Sequence, residues 1–241
     1  GYVPRSRSAA KANISFTYNT TSTASTATLS AGLVCIGAVE NTNYLFSIPN
    51  DVTTTIVNGV AAFNNIDVYQ GTFLRKQFVV DGSLDQRFLL DNSFIDSSTI
   101  VVKVKGLSDT GLGREYSLAS NILNIDSTSE TYLIQEIKDE RYELLFGDGY
   151  FGKKLENGAV ITATYIITDG KEGNGPSNFA YSGRVVDELG NPIVPSSDVA
   201  VTTNISASNG GDIESVDSIK YFAPRIYASQ YRAVTARDYE A

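Results

Sequence analysis

The sequence predicts a mainly β fold, an antiparallel sandwich or meander that ends in a short α-helical C-terminal segment, and is therefore α+β overall. Short runs of alternating apolar and polar residues, typical of half-buried strands, recur along most of the chain. Turn signals such as Asn58-Gly59 and Asn157-Gly158 separate these runs. Beyond Gly210 the period changes, and apolar residues recur at three-residue steps, as they do on one face of a helix.

The composition permits a well-packed β core. Of the 241 residues, 42% are hydrophobic, and 14 Tyr and 11 Phe supply large side chains. Only 19% are charged, and Thr, Ser and Asn are abundant, a mixture that favours β-structure over helix. This length suits one large all-β domain or two smaller domains.

Charge and missing residue types argue against several functions. The formal net charge is −8, and an acidic chain without clustered Lys and Arg is unsuited to general nucleic-acid binding. With no His, the chain can hold neither a His-dependent triad nor a His zinc site. The single cysteine, Cys35, lies in an apolar run and is expected to be a buried small hydrophobe. No apolar run is long enough for a membrane span, and no signal peptide is expected.

The chain contains no Met, even at its first position, which predicts either a processed chain or a fragment of a longer protein, and we favour the fragment. Residues 1–12 are expected to be a basic linker from a missing N-terminal part, and 13–178 the main β domain. An inserted or appended small β hairpin is expected at 179–208, and the start of a truncated helical segment at 209–241.

Alternation places the strands within the β part. Ile14, Phe16 and Tyr18 form one face of the first strand, whereas residues 19–30, almost wholly Thr, Ser and Ala, are expected to form a flexible loop or a polar edge. Gly71 interrupts another alternating run, which predicts a bulge or a bend between strands. Further strands are predicted at 33–36, 44–48, 53–57, 63–69, 73–80, 87–90, 100–104 and 132–137.

A glycine-rich stretch follows the predicted strand at 142–146. Its glycines tolerate positive φ and its aspartate can bond the backbone two residues on, which predicts a tight structural loop. We predict that at least one loop glycine has positive φ, and that replacing it with Ala costs on the order of 1 kcal/mol or more. An Asn-Gly pair then turns the chain into a long strand at 161–167. The residues given this structural role are Phe146, Gly147, Asp148, Gly149, Gly152, Asn157 and Gly158.

The C-terminal stretch is predicted to be helical. Ile213, Val216, Ile219 and Phe222 should pack as one face against the β domain or against a neighbouring copy. Asp212 is the expected N-cap of this helix.

Proline and chain length limit these helices. Pro224 is expected to interrupt or end the first helix. A second helix is expected to begin at Thr235 and to be too short to be stable alone. We therefore expect a monomer or weak dimer in solution, and stable oligomers only when further C-terminal residues are restored; sedimentation of both forms tests this.

Two ordered blocks of the sequence resemble the baseplate J-like family, which includes the baseplate wedge proteins of contractile-tailed, T-even-type bacteriophages. The first block is Phe146-Gly147-Asp148-Gly149 with Gly152, then Asn157-Gly158, a long strand and the glycine-rich residues 170–175. The second comprises Gly210-Gly211-Asp212, Glu214-Ser215, Ala223-Pro224, Gln230, Arg232-Ala233-Val234-Thr235 and Asp238-Tyr239. Residues 19–30 and 179–205 depart from the family pattern.

The resemblance implies a structural, non-enzymatic subunit of a tail baseplate wedge, located in the virion and assembled in the host cytoplasm. Its implied partners are other copies of itself and other wedge proteins, without nucleic acid, membrane, cofactor, metal or small-molecule substrate. Arg225 and Arg232 either pair with nearby carboxylates or bind a partner. The possible interface residues are Gly210, Gly211, Glu214, Arg225, Gln230, Arg232, Thr235, Asp238 and Tyr239.

Two other functions remain open at this point. Tyr and Asn in loops suit a carbohydrate-binding β-domain of a tail or cell-surface fibre. A tail-associated hydrolase would need paired carboxyls across a cleft, for which Asp139, Glu140 and Glu143 are candidates, although a solvated turn explains them better.

Oxygen-bearing side chains also cluster after the long strand. The spacing of Asp169, Glu172 and Asn174 does not match the helix–loop–helix calcium pattern, so a polar turn is expected there.

Overall fold

The structure, a computed structural model, describes residues 5–83, 85–119 and 125–229, with side chains as far as Arg225. These residues form strands in two sheets, one α-helix near the C-terminal end and two short 3-10 helices (Lys138–Glu140 and Gly170–Gly173), which confirms the predicted mainly β, α+β class. Their bounds are β1 (Lys11–Asn19), β2 (Thr26–Leu29), β3 (Gly32–Val39), β4 (Thr42–Ile48), β5 (Val52–Val57), β6 (Val60–Gln70), β7 (Thr72–Val79), β8 (Phe88–Leu90), β9 (Ile95–Lys105), β10 (Arg114–Leu118), β11 (Thr131–Glu136), β12 (Tyr142–Phe146), β13 (Val160–Ile167), β14 (Phe179–Tyr181), β15 (Val185–Val186), β16 (Val201–Ser208) and α1 (Val216–Ser229).

The first sheet has nine strands, drawn from both ends of the described chain. Its order is β14-β3-β4-β6-β5-β2-β15, with β1 pairing both β6 and β16. In β1, Ala12, Ile14, Phe16 and Tyr18 are buried and the residues between them are more exposed, so the predicted period of two sets the buried face. We call this sheet and its core the first lobe.

Aromatic pairs and one thiol fill the first-lobe core. The rings of Phe16 and Phe63 stack with centroids 4.9 Å apart, and Phe46 meets Phe179 edge-on, also at 4.9 Å. Cys35 is fully buried in this core, as predicted, and burial raises the pKa of its thiol to about 12. The thiol is therefore protonated at neutral pH and packs as an apolar group.

The second sheet has seven strands, in the order β7-β13-β9-β10-β11-β12-β8. We call it and its separate core the second lobe. The central strand β13 lies between β7 and β9 and buries Ile161, Ala163 and Tyr165. Strands β10 and β11 run parallel, so the sheet is mixed rather than wholly antiparallel at this point.

The chain crosses between the lobes at two places that touch each other. The first crossing is Gly71, between β6 and β7, where φ is 141° and an added Cβ would lie 2.2 Å from the carbonyl oxygen of Ile167. The second follows β13, where Thr168 Oγ1 donates to Gln70 Oε1 at 2.7 Å. Gln70 Nε2 donates to Asp169 Oδ2, also at 2.7 Å. The buried Gln70 amide thus joins both crossings.

The N-terminal residues add a third connection at this junction. The buried carboxylate of Asp96, at the start of β9, accepts a hydrogen bond from the Ala9 amide at 2.8 Å. Its other oxygen accepts from the amide and hydroxyl of Ser98, at 2.9 and 2.6 Å. The backbone N–H of Gln70 donates to the Ala10 carbonyl at 2.7 Å. These bonds join the N-terminal segment to β9 of the second lobe and to the end of β6 in the first lobe, so several hydrogen bonds hold the junction together.

The Thr-rich segment at 19–30 differs from the expectation of a flexible loop or polar edge. It contains β2, which pairs with β5 from Thr26 to Leu29. Ala27 and Leu29 are fully buried, whereas Thr28 bonds across the ladder to Thr53. The sequence signal for this strand is weak, because Ala, which is only weakly apolar, alternates with Thr in it.

The segment at 179–208 does not form a small sheet of its own. Strands β14, β15 and β16 pair with β3, β2 and β1 in the first lobe. The tight turn expected there is present, since the Asp187 amide donates to the Asn191 carbonyl at 2.9 Å. These strand pairs could not be predicted from local sequence patterns, because the paired strands lie far apart in the chain. The domain boundaries given above stay predictions.

The helix α1 begins three residues later than expected. Ser215, not Asp212, is its N-cap: the Ser215 carbonyl accepts from the Ile219 amide at 3.0 Å, and its hydroxyl from the Ser218 amide at 3.2 Å. Pro224 lies inside the helix, which continues to Ser229. The proline removes one backbone donor without ending the helix.

The prediction that one apolar face of this helix packs against the β domain is wrong. Ile213 precedes the helix, Ile219 is half-buried, and both Val216 and Phe222 are exposed. Packing of this face on a neighbouring copy stays a prediction. The second helix expected at Thr235 lies outside the described residues.

Candidate functional site

The glycine loop at 147–154 is a compact turn between β12 and the segment leading to β13. Gly149 and Gly152 have φ of 96° and 85°, so the predicted positive φ is observed. A Cβ on Gly147 would lie 2.2 Å from the carbonyl carbon of Gly152, so the two arms of the loop approach too closely for any side chain. Two kinds of constraint, dihedral and steric, therefore require glycine here.

Asp148 closes the loop through its own backbone. Its Oδ1 accepts from the amides of Tyr150 and Phe151, at 2.8 and 2.9 Å. These bonds lower the pKa of the Asp148 carboxyl below its ordinary value. The Gly149 amide donates to the Gly152 carbonyl at 3.1 Å. Backbone amides of its own loop thus satisfy the Asp148 carboxylate, as predicted for a structural turn.

The loop is also fixed to the residues that precede β11. The amides of Gly152 and Lys153 donate to the carbonyls of Asp126 and Ser129, both at 2.9 Å. Beside them, Glu130 Oε1 accepts from Lys153 Nζ at 2.8 Å and from Arg114 at 3.1 Å. These contacts hold the loop in place from outside as well as from within.

Two aromatic side chains project from this fixed loop. Tyr150 is 82% exposed and Phe151 is 65% exposed, more than any other aromatic side chain in the described part of the chain. Sequence reasoning assigned the glycines and Asp148 but missed these two residues. The available signal was an aromatic pair between two glycines in a turn, where burial is hard to achieve.

Asn157 and Gly158 form the turn into β13, as predicted. Gly158 has φ of 84° and its amide donates to the Val80 carbonyl at 2.7 Å. Between this turn and the glycine loop lies a cleft of about 130 Å³ that both Lys153 and Leu155 line. The turn therefore joins β13 to the end of β7 and sets the register of the second lobe.

The C-terminal candidates Gly210 and Gly211 connect the end of the first lobe to the junction. The Gly210 amide donates to Asn174 Oδ1 at 2.8 Å, and Asn174 Nδ2 returns a bond to the Gly210 carbonyl at 3.0 Å. Gly211 pairs with Ser8 through two backbone bonds of 3.0 Å. A Cβ on Gly210 would lie 2.4 Å from the Gly170 carbonyl oxygen. Both glycines hold structure within the chain.

Charged candidates of the same run also have partners inside the chain. Glu214 accepts from Ser218 Oγ at 2.6 Å and from the Arg5 amide at 3.1 Å. Arg225 lies over the Tyr221 ring, 3.5 Å from its centroid, and donates to the Tyr221 carbonyl at 2.6 Å. Arg225 is therefore placed on the helix surface and does not pair with Asp212.

The remaining candidates of the second block lie outside the described residues. They are Gln230, Arg232, Thr235, Asp238 and Tyr239. Asp212, expected as a cap, instead lies 3.0 Å from Lys171 and 3.9 Å from Arg7.

The carboxylates considered for hydrolysis are engaged in ion pairs. Both oxygens of Glu143 accept from the Arg87 guanidinium, at 2.8 and 2.6 Å, which lowers the pKa of Glu143. Asp139 lies 3.5 Å from Arg141, and Glu140 lies 3.9 Å from Arg7. A general acid needs a raised pKa, the opposite of the shift at Glu143.

The polar turn after β13 likewise uses its oxygens within the protein. Asp169 accepts from Gln70, and Asn174 bonds to Gly210. Among the described residues no group of three or more His, Cys, Asp or Glu is placed to hold a metal ion. In the same part of the chain, no helix combines the length and apolar character needed to cross a bilayer.

No model of a known protein family matches the chain. The chain is similar to "Baseplate wedge protein gp6" of Enterobacteria phage T4, at 26% identity over 265 aligned residues. The alignment covers all of this chain and 38% of the T4 protein, so the chain spans well under half the length of that relative. The similarity supports a relationship to baseplate wedge proteins.

Proposed function

We propose that this chain is a structural, non-enzymatic part of a baseplate wedge subunit in a contractile-tailed phage, and that it belongs with the J-like baseplate proteins. Its place is the tail baseplate of the virion, reached by assembly in the host cytoplasm. Its partners are other copies of itself and other wedge proteins. The observation that carries this proposal is the similarity of the whole of this chain to 38% of a T4 baseplate wedge protein.

The architecture suits a subunit that keeps its shape within an assembly. Two lobes with separate cores meet at a junction where Gln70, Asp96 and the backbone of the N-terminal segment are joined by hydrogen bonds. A subunit that must keep its shape in a large assembly needs such coupling between its parts. The most specific sequence motif, the glycine loop, also serves structure: its Asp148 bonds its own backbone, and its glycines meet steric limits.

Particle composition tests this proposal. The chain, as part of its full-length protein, is tagged in the phage that encodes it, and purified particles are examined by immunogold labelling and mass spectrometry. We expect label at the distal end of the tail and release of the protein together with other baseplate components. A protein found in infected cells but absent from purified tails would overturn the proposal.

The two alternatives are tested on the same purified chain. A strong and selective glycan-array signal would favour the fibre-type carbohydrate-binding function. Turnover of peptidoglycan or polysaccharide that is lost on Glu143→Gln would favour the hydrolase. We expect neither result. For the hydrolase the reason is that Glu143 is held in a two-point contact with Arg87.

A further inference from the structure

The sequence contains four Asn-Gly pairs, and all of them lie within the described residues. They are Asn58-Gly59, Asn157-Gly158, Asn174-Gly175 and Asn209-Gly210. An asparagine followed by glycine is prone to deamidation, because a glycine has no side chain to keep its backbone nitrogen away from the preceding side-chain amide. Since the following residue is the same in all four pairs, large differences in their reactivity must come from the fold.

Deamidation begins at the backbone nitrogen of the glycine. After this nitrogen loses its proton it attacks Cγ of the asparagine, so that an N–Cγ bond forms and the Cγ–Nδ2 bond breaks. The side-chain nitrogen takes up a proton and leaves as ammonia. Water then opens the resulting succinimide ring at either carbonyl, which gives aspartate or isoaspartate. A glycine N–H that donates to a protein acceptor must first break that hydrogen bond, as it must in amide hydrogen exchange.

Three of the four glycine amides donate hydrogen bonds within the protein. The donors and acceptors are Gly158 with the Val80 carbonyl at 2.7 Å, Gly175 with the Ala207 carbonyl at 2.8 Å, and Gly210 with Asn174 Oδ1 at 2.8 Å. Each acceptor lies far from its donor in the sequence, so each bond ties the pair to another part of the fold. Ring closure at these three pairs therefore requires a local opening.

The pair Asn58-Gly59 differs from the other three. It forms the two-residue turn between β5 and β6, where φ is 52° at Asn58 and 76° at Gly59. The flanking residues Val57 and Val60 pair with each other, and the Gly59 carbonyl accepts from the Thr20 amide at 2.8 Å. Among the described residues the Gly59 N–H has no acceptor, and the exposed Asn58 side chain has no hydrogen bond. The reacting nitrogen is thus held by no protein group.

We propose that Asn58 is a site of spontaneous deamidation and that the fold protects the other three Asn-Gly pairs. Water is the co-reactant, and the inference does not depend on the proposed function. The reaction adds one negative charge to a chain of net charge −8. Isoaspartate also adds a methylene to the main chain of a turn built for two residues, which displaces the Gly59 carbonyl from the Thr20 amide. The modification therefore loosens the β5–β6 hairpin and its bond to the residues after β1.

Site-resolved deamidation rates test this proposal. The full 241-residue chain is incubated at mildly alkaline pH in water enriched in heavy oxygen, once folded and once in urea, and peptide mass spectrometry follows label uptake. In the folded chain Asn58 should react about tenfold or more faster than each of the other three, because only those must break a hydrogen bond. In urea the four rates should converge, because glycine follows every asparagine.

Two outcomes of this experiment would overturn the proposal. One is a folded chain in which Asn58 reacts no faster than the other three asparagines. The other is an Asn58 that reacts in urea but stays intact in the folded chain, since its turn would then protect it without a hydrogen bond to Gly59.

Two variants at one position test the protection itself. Asn174→Ala removes the acceptor of the Gly210 N–H and should speed deamidation of Asn209 about tenfold. Asn174→Asp is the matched control, because it keeps an acceptor oxygen and loses only the donor to the Gly210 carbonyl, so Asn209 should stay slow. Asn58 should react at its unaltered rate in both variants. Equal rates at Asn209 in the two variants would contradict protection by this hydrogen bond.

Discussion

The two lobes differ in how far apart in sequence their paired strands lie. The second lobe is built from one continuous stretch, β7 to β13. The first lobe places β1 between β6 and β16, so that Lys11 lies opposite Ser208. Its core likewise joins Phe16 and Phe46 to Phe179 and Tyr181. The first lobe is completed by strands that follow the whole second lobe.

This difference bears on folding and on mechanical coupling. Pairing of distant strands costs more loop-closure entropy, so we expect the second lobe to form before the first is complete. Both chain crossings between the lobes meet at Gln70 and Gly71. A disturbance at this point is therefore expected to affect both lobes, whereas a disturbance elsewhere should affect mainly one.

The largest expected effect comes from ending the chain at residue 178. This removes β14, β15 and β16, which pair with β3, β2 and β1, and uncovers core residues such as Phe46. Amide hydrogen exchange should show loss of protection throughout β1 to β6 and retained protection in β9 and β13. Undiminished protection of β1 in the shortened chain would contradict the division into a completed and a self-contained lobe.

The next effect is steric and lies at the crossing. Gly71→Ala should lower the free energy of unfolding by about 3 kcal/mol, because the new Cβ would meet the Ile167 carbonyl oxygen at 2.2 Å and φ is 141°. Gly111→Ala is the matched control, since its φ of 87° is also positive but no atom lies within 4 Å of the added Cβ. Urea unfolding of both variants separates backbone strain from the close approach. An equal decrease in the free energy of unfolding of both variants would show that the close approach at Gly71 contributes nothing beyond backbone strain.

Coupling between the lobes is expected to depend on the Gln70 side chain. Gln70→Leu leaves Thr168 and the Asp169 amide without their acceptor, at a cost of about 1–3 kcal/mol. Calorimetry should then resolve two unfolding transitions in place of one. The control is Gln77→Leu, since Gln77 bonds to Thr162 on the exposed side of β7 and should cost little. A single transition in the Gln70 variant would show that other contacts hold the lobes together.

The smallest expected effect is a pH dependence confined to the second lobe. Arg87 lowers the pKa of Glu143 in the folded chain, so this pair stabilises fully above the ordinary glutamate pKa. That stability is lost as pH falls through the depressed folded-state pKa. Arg87→Leu should abolish this part of the acid sensitivity. Thermal unfolding curves for both chains across this acidic range should converge as pH falls; a constant gap would contradict the assignment.

Sequence patterns predicted the elements whose information is local. The alternation around Ile14 and Phe16, the bend at Gly71 and the positive φ of Gly149 all follow from periodicity or turn chemistry. They could be predicted because burial on one sheet face and backbone sterics act over a few residues.

Other features depended on distant partners and could not be predicted in this way. The strand β2 forms between β5 and β15, and its Ala27 is buried in the first-lobe core that distant strands complete. Ser215 displaces Asp212 as the helix cap because Asp212 lies between Lys171 and Arg7 from other segments. The exposure of Tyr150 and Phe151 could not be predicted, because the glycine and aspartate signals describe the path of the loop and not which side chains it exposes.

Cryo-electron microscopy of intact tails from the phage that encodes this chain tests the central claim most directly. We expect baseplate density into which both β lobes fit as one body, with the junction at Gln70 and Gly71 unbroken and with neighbouring protein against the surface. Tails whose baseplate contains no density that fits this pair of lobes would contradict it.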